Sequence, residues 1–531
     1  MAVWTNGQQV QAWHRKDPNY FEQIPNIPAA NETLVDILNQ RITYEDLKKI
    51  DKIANERRSL RSFIVEMEDE VLANAGVDSF EEVFKLIFSK LYDELIGADD
   101  ENYYLKFRNN GEADPELKEK IDELFEAAKE KWDGIFLESD SITLTPSHLA
   151  VCVSALQDVK LFNNNLDVVD DAFEYLMNKS QKGEKGQYFT PRYVIDMCVK
   201  MLNPKEDEDI IDTAAGSSGF PMHATSYVWN NMRDELSGAG SEATTTGKPS
   251  EREKKYVRNR VFAIDFDEKA VRVARMLNLI AGYGESNVLH LNTLDYHRWG
   301  EVSKQEKWVE NYSKSFGRLK KRRAKGVSDF SQFNFPLLMA NPPFAGDIKE
   351  GSILERYDLG TNEKGNQQSK VGRDILFIER NLNFIKPGGR MAIVLPQGRL
   401  NNSSDKQIRD YIAQRCRILA VVGLHGNVFK PHTGTKTSVL FVQKWDDELC
   451  PKVEDYPIFF ATMQKPSKNN SGEKLYVWDI DENKPMLDKH NYLIVDHDLY
   501  KHDVKTGVKA QDGIAEAFIE FAKREKFSFF V

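Results

Sequence analysis

Between residues 209 and 445, short apolar runs alternate with stretches of helical periodicity, and this alternation narrows the possible folds more than any other feature of the chain. A strand covered on both faces reads as a continuous apolar run, and a parallel return to the same sheet needs a crossover helix. The pattern predicts an α/β domain with a doubly wound sheet. Seven runs qualify as strands: DIIDTAA (209–215), RVFAIDFD (260–267), NVLHLN (287–292), FPLLMANP (335–342), GRMAIVLP (389–396), RILAVVGL (417–424) and KTSVLFVQKW (436–445). Helices are expected after Gly219 and over 268–281, 374–385 and 405–415. The last two strands leave no room for a helix between them, which predicts an antiparallel hairpin.

A chain of 531 residues exceeds what one core organises, so further domains are expected. Residues 1–170 read as a helical N-terminal domain without strand signals. Its clearest segment is SFEEVFKLIFSKL (79–91), where Ser79 and Glu82 have capping-box spacing and Phe80, Phe84, Ile87, Phe88 and Leu91 share one face. Such a stripe is a core-facing helix. A further helix over DVVDDAFEYLMNK (167–179) runs into the polar loop SQKGEKGQYFTPR. Residues 171–450 are the α/β domain, interrupted by two insertions, 237–255 and 302–328. Six of the eight residues 318–325 are basic, which suits either a solvated helix face or a phosphate-contacting loop. Residues 451–531 form a C-terminal extension. Its last helical stretch, 511–526, aligns Ile514, Phe518 and Phe521 ahead of FSFFV, a face for either core packing or partner docking.

Several function classes are disfavoured by composition. No segment approaches the ~18 consecutive apolar residues of a membrane span, and the N-terminus has neither a signal core nor transit-peptide character, so a cytoplasmic location is expected. Cys152, Cys198, Cys416 and Cys450 are scattered without a C-x-x-C pair, which argues against a disulfide framework or a zinc site. The net charge of −11 disfavours a chain that grips nucleic acid unaided, because neutralising phosphates needs a basic surface. Either nucleic acid is not the substrate, or a partner supplies much of the grip.

In an open parallel sheet, ligands bind outside the carboxyl ends of the strands, so the residues that end each strand are the candidates. The first strand runs into Asp212-Thr213-Ala214-Ala215-Gly216-Ser217-Ser218-Gly219, where two glycines let the backbone turn sharply and approach a ligand at a helix N-terminus. No G-x-x-x-x-G-K-S/T occurs, which removes a P-loop. Asp265 ends the second strand, where a carboxylate accepts hydrogen bonds from ribose hydroxyls, and Asp295 follows the third within reach of the other end of the same ligand. The fourth strand ends in Asn341-Pro342-Pro343-Phe344; alone, that tetrapeptide is ordinary turn chemistry.

With this order the chain resembles the amino-methylating S-adenosylmethionine-dependent DNA methyltransferases, and closely resembles the modification subunit of type I restriction-modification systems. The resemblance covers about residues 160–450 and rests on GQYFTPR (186–192), DTAAGSSGF (212–220), AIDFDEKAVRVARMLNL (263–279), NPPF (341–344), and GGRMAIVLP (388–396) with FKPHTGTKTSVLF (429–441). One departure is Thr213, where the family usually has proline; it loses a rigid turn residue but no ligand group.

The resemblance implies a methyltransferase domain over 171–450 that uses S-adenosylmethionine. It places Asn341, Pro342, Pro343 and Phe344 at a target adenine, and Asp212, Gly216, Ser217, Ser218, Gly219, Asp265 and Asp295 at the cofactor, with Gln187, Tyr188, Phe189, Thr190 and Pro191 closing over the methionine end. The chemistry fits these residues. An exocyclic adenine amine is a poor nucleophile, and acceptors on both of its N–H groups, the Asn341 oxygen and the Pro342 carbonyl, localise its lone pair. Phe344 would stack on a base turned out of the duplex. Cytosine C5 chemistry needs a thiolate, and no Pro-Cys dipeptide occurs; N4-cytosine methylation uses related chemistry and is less easily set aside. Implied partners are double-stranded DNA, a specificity subunit, a second modification subunit and a restriction subunit, with no membrane. A methyltransferase for RNA or protein glutamine, or a non-catalytic cofactor-binding scaffold, are the alternatives.

Overall fold

A computed structural model of the chain describes residues 2–530 except 6–9, 18–19, 25–26, 28–40, 57, 73–75, 133, 163–174, 176–188, 238–248, 283–285, 363, 480–482, 489–492 and 503–511. The chain divides into two compact units, residues 1–182 with 279–282, and the remainder.

The first unit is not wholly helical. It opens with an antiparallel sheet of β1 (Ala2–Thr5), β2 (Val10–Asp17) and β3 (Tyr20–Ile24), which corrects the expectation of a domain without strands. Helices follow: α1 (Tyr44–Ile50), α2 (Lys52–Glu56), α3 (Leu60–Met67), α4 (Ser79–Asp99), α5 (Asp114–Lys131) and α6 (Pro146–Leu156). The apolar stripe of α4 is buried as its spacing requires. Its cap differs from expectation: Asp78 caps the helix by accepting from Phe80 and Glu81 N–H, and Glu82 turns inward instead. There Glu82 pairs with Lys85 at 2.6 Å and accepts from Thr143 and Leu144 N–H, so a buried charge is neutralised and fully bonded. The expected helix over 167–179 lies outside the described residues, Tyr175 excepted.

The second unit is mixed α/β around a largely parallel sheet. Its elements include α7 (Arg192–Leu202), β4 (Ile210–Asp212), α8 (Gly219–Ser237), α9 (Glu251–Arg260), β5 (Val261–Asp265), α10 (Glu268–Ile280), β6 (Asn287–His290), α11 (Glu306–Lys320) and β7 (Phe335–Ala340). Next come a two-residue pair, β8 (Asp347–Ile348) with β9 (Val371–Gly372), then α12 (Arg373–Phe384), β10 (Ile385–Pro396), α13 (Lys406–Arg415), β11 (Cys416–Gly423), β12 (Thr437–Lys444) and β13 (Phe459–Thr462). The short pair β14 (Trp478–Asp479) and β15 (Lys484–Pro485) precedes α14 (Ile514–Arg524).

The large sheet runs β13-β11-β12-β10-β7-β4-β5-β6. All seven expected strands are in it, and β13 adds an eighth at the edge of β11, Ala420 facing Phe459. The expected hairpin of β11 and β12 is antiparallel. Because β5 and β6 lie to one side of β4 and β7 to the other, the order reverses between β4 and β7. Their carboxyl ends therefore open one crevice.

Of the two expected insertions, 237–255 lies mostly outside the described residues, and 302–328 is not an insertion. Ser250 caps α9 with a complete capping box, so the end of 237–255 is helical. The 302–328 segment holds α11, the crossover from β6 to β7, with Trp308, Tyr312, Phe316 and Leu319 buried. Its basic end is partly structural: Arg318 donates to Asn287 Oδ1 at 3.1 Å, and Arg322 pairs with Asp209 at 3.0 Å and donates to Asn259 O. Those partners sit at the amino ends of the strands, the edge opposite the crevice.

The apolar face of α14 is spent inside the unit. Phe518 is fully buried against Phe441 and Phe459, and Phe521, Phe527 and Phe529 are buried with it. Core packing, not an open docking face, accounts for this stripe.

Candidate active site

The turn after β4 is built from backbone hydrogen bonds and two left-handed residues. Asp212 is buried and accepts from Ala214 N–H at 2.9 Å. Gly216 has φ +52° and Ser218 φ +72°, and Ser218 N–H closes on Ala215 O at 2.7 Å. A side chain added at Gly216 would meet nothing within 4 Å, so this glycine serves the turn and leaves its outer face open to a ligand. Gly219 is different. A Cβ there would stand 2.7 Å from Ile195 Cδ1, so it lets α8 approach α7. Ser217 and Ser218 are both buried in the turn.

Asp265 ties this turn to the next strand: its Oδ2 accepts from Gly216 N–H at 2.8 Å and its Oδ1 from Asp267 N–H at 2.9 Å. Burial raises its carboxyl to about 6. Asp212 is held well above the ordinary range, by burial first and then by the neighbouring charge of Asp265. The charge of Asp265 disfavours ionisation of Asp212, a cost that a cationic or hydroxyl-rich ligand at these carboxylates would relieve. Asp295 follows β6, with Oδ1 3.0 Å from His297 Nδ1.

Across the reversal, β7 ends at Ala340 and delivers Asn341. The Asn341 amide nitrogen donates to Thr190 Oγ1 at 3.0 Å, which leaves Oδ1 as the acceptor end of the side chain. Pro342 is buried; Asn341, Pro343 and Phe344 are half-buried. Phe344 meets Phe429 edge to face, ring centres 5.7 Å apart at 89°. Phe189, Thr190 and Pro191 precede α7 at half-buried positions, whereas Gln187 and Tyr188 lie outside the described residues.

No role for Phe429, or for a tripeptide on α12, follows from the sequence alone. Glu379, Arg380 and Asn381 are consecutive, polar and buried. Glu379 accepts from Asp358 and Leu359 N–H in the chain beyond Phe344, Arg380 donates to the carbonyls of Thr293, Phe330 and Ser331, and Asn381 accepts from the Thr213 hydroxyl. Their only sequence signal was three polar letters inside an apolar helix.

Thiol chemistry is disfavoured. All four cysteines are buried, and burial pushes Cys152 and Cys416 up to about 12 and Cys450 to about 11. Among the described residues no cluster of His, Cys, Asp or Glu has the makings of a metal site, and no helix is long and apolar enough to cross a membrane.

Comparison with known proteins shows the family of the chain. The EcoEI type I restriction enzyme methylase subunit of Escherichia coli is 24% identical over 277 residues, covering 52% of this chain and 46% of that protein. The StySPI methylase subunit of Salmonella potsdam is 23% identical over 375 residues, 68% of this chain and 59% of that one. The chain thus spans about half to three fifths of the length of these relatives. A solved structure from work on complex assembly and conformational transition of the type I restriction-modification system matches with a TM-score of 0.50, 17% identity and 80% coverage of both chains, a likeness of fold. The family model described as N-6 DNA Methylase matches residues 164–492, well over half the chain, and the protein belongs to that family.

Proposed function

We propose that the chain transfers a methyl group from S-adenosylmethionine to the N6 amine of an adenine in DNA, as the modification subunit of a type I restriction-modification complex. The observation that carries this reading is the juxtaposition across the β4–β7 reversal: the Asp212-to-Gly219 turn on one strand end, and Asn341, oriented by Thr190, on the other.

The residues fit the cofactor. Asp265 offers carboxylate oxygens to the ribose hydroxyls, since each oxygen accepts more than one hydrogen bond, and the outer face of Gly216 is open. Ser217, Ser218, Gly219, Asp212 and Asp295 complete that side, with Gln187, Tyr188, Phe189 and Thr190 toward the methionine end. When bound, S-adenosylmethionine supplies an electrophilic methyl group on a sulfonium.

The chain's own residues do the rest. Asn341 Oδ1 and the Pro342 carbonyl accept the two adenine N–H groups, which concentrates the lone pair on nitrogen; Pro343 stiffens that backbone. Phe344 stacks on the extruded base, with Phe429 supporting its edge. No side-chain base is needed before transfer, because the amine loses its proton afterwards.

The net charge of −11 supports a chain that borrows its grip on double-stranded DNA. Sequence readout then belongs to a specificity subunit, with a second modification subunit and a restriction subunit as further partners and the cytoplasm as the setting. Incubating the chain and a specificity subunit with labelled S-adenosylmethionine and equal amounts of DNA, RNA and cell protein tests this. Label in DNA is expected; label confined to RNA or protein, or none anywhere, overturns it.

A further inference from the structure

Three loops meet at one buried knot beside the proposed cofactor site. After β4, the Thr213 hydroxyl donates to Asn381 Oδ1 at 2.6 Å. After β6, the Thr293 hydroxyl donates to Thr213 O, also at 2.6 Å, while Thr293 O accepts from Arg380 Nε at 3.0 Å. Arg380 is fully buried, stacked against Tyr296 and Phe384, and its other guanidinium nitrogens hold the carbonyls of Phe330 and Ser331 just ahead of β7. The β4 and β6 loops flank the end of β5, where Asp265 sits. None of the knot's side chains belongs to the groups assigned to ligand.

This arrangement is costly unless it positions something. Asn381 Nδ2 is buried and makes no hydrogen bond among the described residues, so the amide is kept for the single bond its oxygen makes to Thr213. An apolar side chain of like size would avoid the orphaned donor. Thr213 adjoins Asp212 and Thr293 is two residues before Asp295, so the spacing of the knot sets the spacing of the two loops that bound the cleft.

We propose that Thr213, Thr293 and Asn381, anchored by Arg380, are positioning residues that preset the width of the cofactor cleft and thereby its affinity. The proposal rests on the S-adenosylmethionine reading above. Preorganisation of this kind appears in cofactor affinity, because an untied loop must be ordered on binding. It leaves the rate at saturating cofactor nearly unchanged.

The test is calorimetric titration of the full-length chain with S-adenosylmethionine, with Tm recorded for every variant. Thr213→Val is expected to raise Kd about tenfold, the equivalent of one lost hydrogen bond, Thr213→Ser to restore it, and Thr293→Val to resemble Thr213→Val. Removing both partners of a buried hydrogen bond is often nearly neutral for folding. The double variant Thr213→Val/Asn381→Leu is therefore expected to regain Tm while its affinity stays low. Affinity that recovers along with Tm, or a Thr213→Val Kd equal to wild type, overturns the proposal and leaves the knot a folding element. A wild-type chain that does not bind S-adenosylmethionine sinks the cofactor reading itself, which the variants alone cannot do.

Discussion

Thr190 and Asn341 lie 151 residues apart in sequence, yet the Asn341 amide donates to the Thr190 hydroxyl at 3.0 Å. One residue comes from the loop ahead of α7 and the other from the end of β7, so the hydrogen bond joins the proposed methionine-side loop to the proposed target-base site. An amide whose nitrogen is held by Thr190 keeps its oxygen turned the other way. Under the proposed function, Thr190 thus sets which end of Asn341 meets the base.

Replacing Thr190 by valine frees that rotation. Steady-state methyl transfer should show kcat lowered about tenfold, the scale of one oriented hydrogen bond, with the KM for cofactor within about twofold, and Thr190→Ser should recover most of the rate. A KM effect without a kcat effect would mean that Thr190 serves the cofactor alone and does not orient Asn341.

Asp265 makes cofactor affinity depend on pH. Its carboxyl is raised to about 6 by burial, so protonation near that pH fills an oxygen that would accept from a ribose hydroxyl. Titrations from pH 8 to pH 5 should show S-adenosylmethionine Kd flat above about 7 and rising below about 6, by at most tenfold per pH unit for a single proton. Asp265→Ala should bind weakly at every pH.

Glu379 affects stability in the opposite pH sense to an ordinary paired carboxylate. Burial raises it from 4.5 to about 7, against the two N–H groups it accepts, so its contribution is full below about 4.5 and is lost as pH rises through about 7. Glu379→Gln cannot ionise. Its Tm relative to wild type should therefore climb between pH 5 and pH 8, whatever its starting value; a difference that falls over this range contradicts the assignment.

Phe518 anchors the C-terminal helix against Phe441 on β12 and Phe459 on β13. Phe518→Ala should cost about 3–5 kcal/mol in denaturant unfolding. Removing residues 510–531 should lower solubility and Tm, because an apolar sheet face would be uncovered. A deletion as stable as the full chain would return this helix to the surface.

The sheet was legible because burial on both faces writes itself as continuous apolar runs, as in IID of β4 and VFAID of β5. The candidate positions at strand ends followed from the strands. Other features left weaker traces. The edge strand β13 is only half covered, so its FFAT lacks a distinctive pattern. The basic run at 318–325 reads alike whether its arginines face phosphate or, as with Arg322 and Asp209, a carboxylate far away in sequence. The α14 stripe has the same spacing on a core helix as on a docking helix. Asn341 was found as a strand-end motif, but its bond to Thr190 and the Thr213–Asn381 knot join distant loops, and no local pattern encodes such pairs.

Two points decide the proposed function: where the methyl group goes and what Asn341 does. Nucleoside mass spectrometry of unmodified DNA, after incubation with S-adenosylmethionine, the chain and a specificity subunit, addresses both. Wild type should yield N6-methyladenine, and Asn341→Ala, though it assembles and binds cofactor as wild type does, should yield less than a hundredth as much, the order expected when a transition-state hydrogen-bond acceptor is lost. N6-methyladenine at wild-type levels from Asn341→Ala, or methylcytosine as the sole product, would contradict the account.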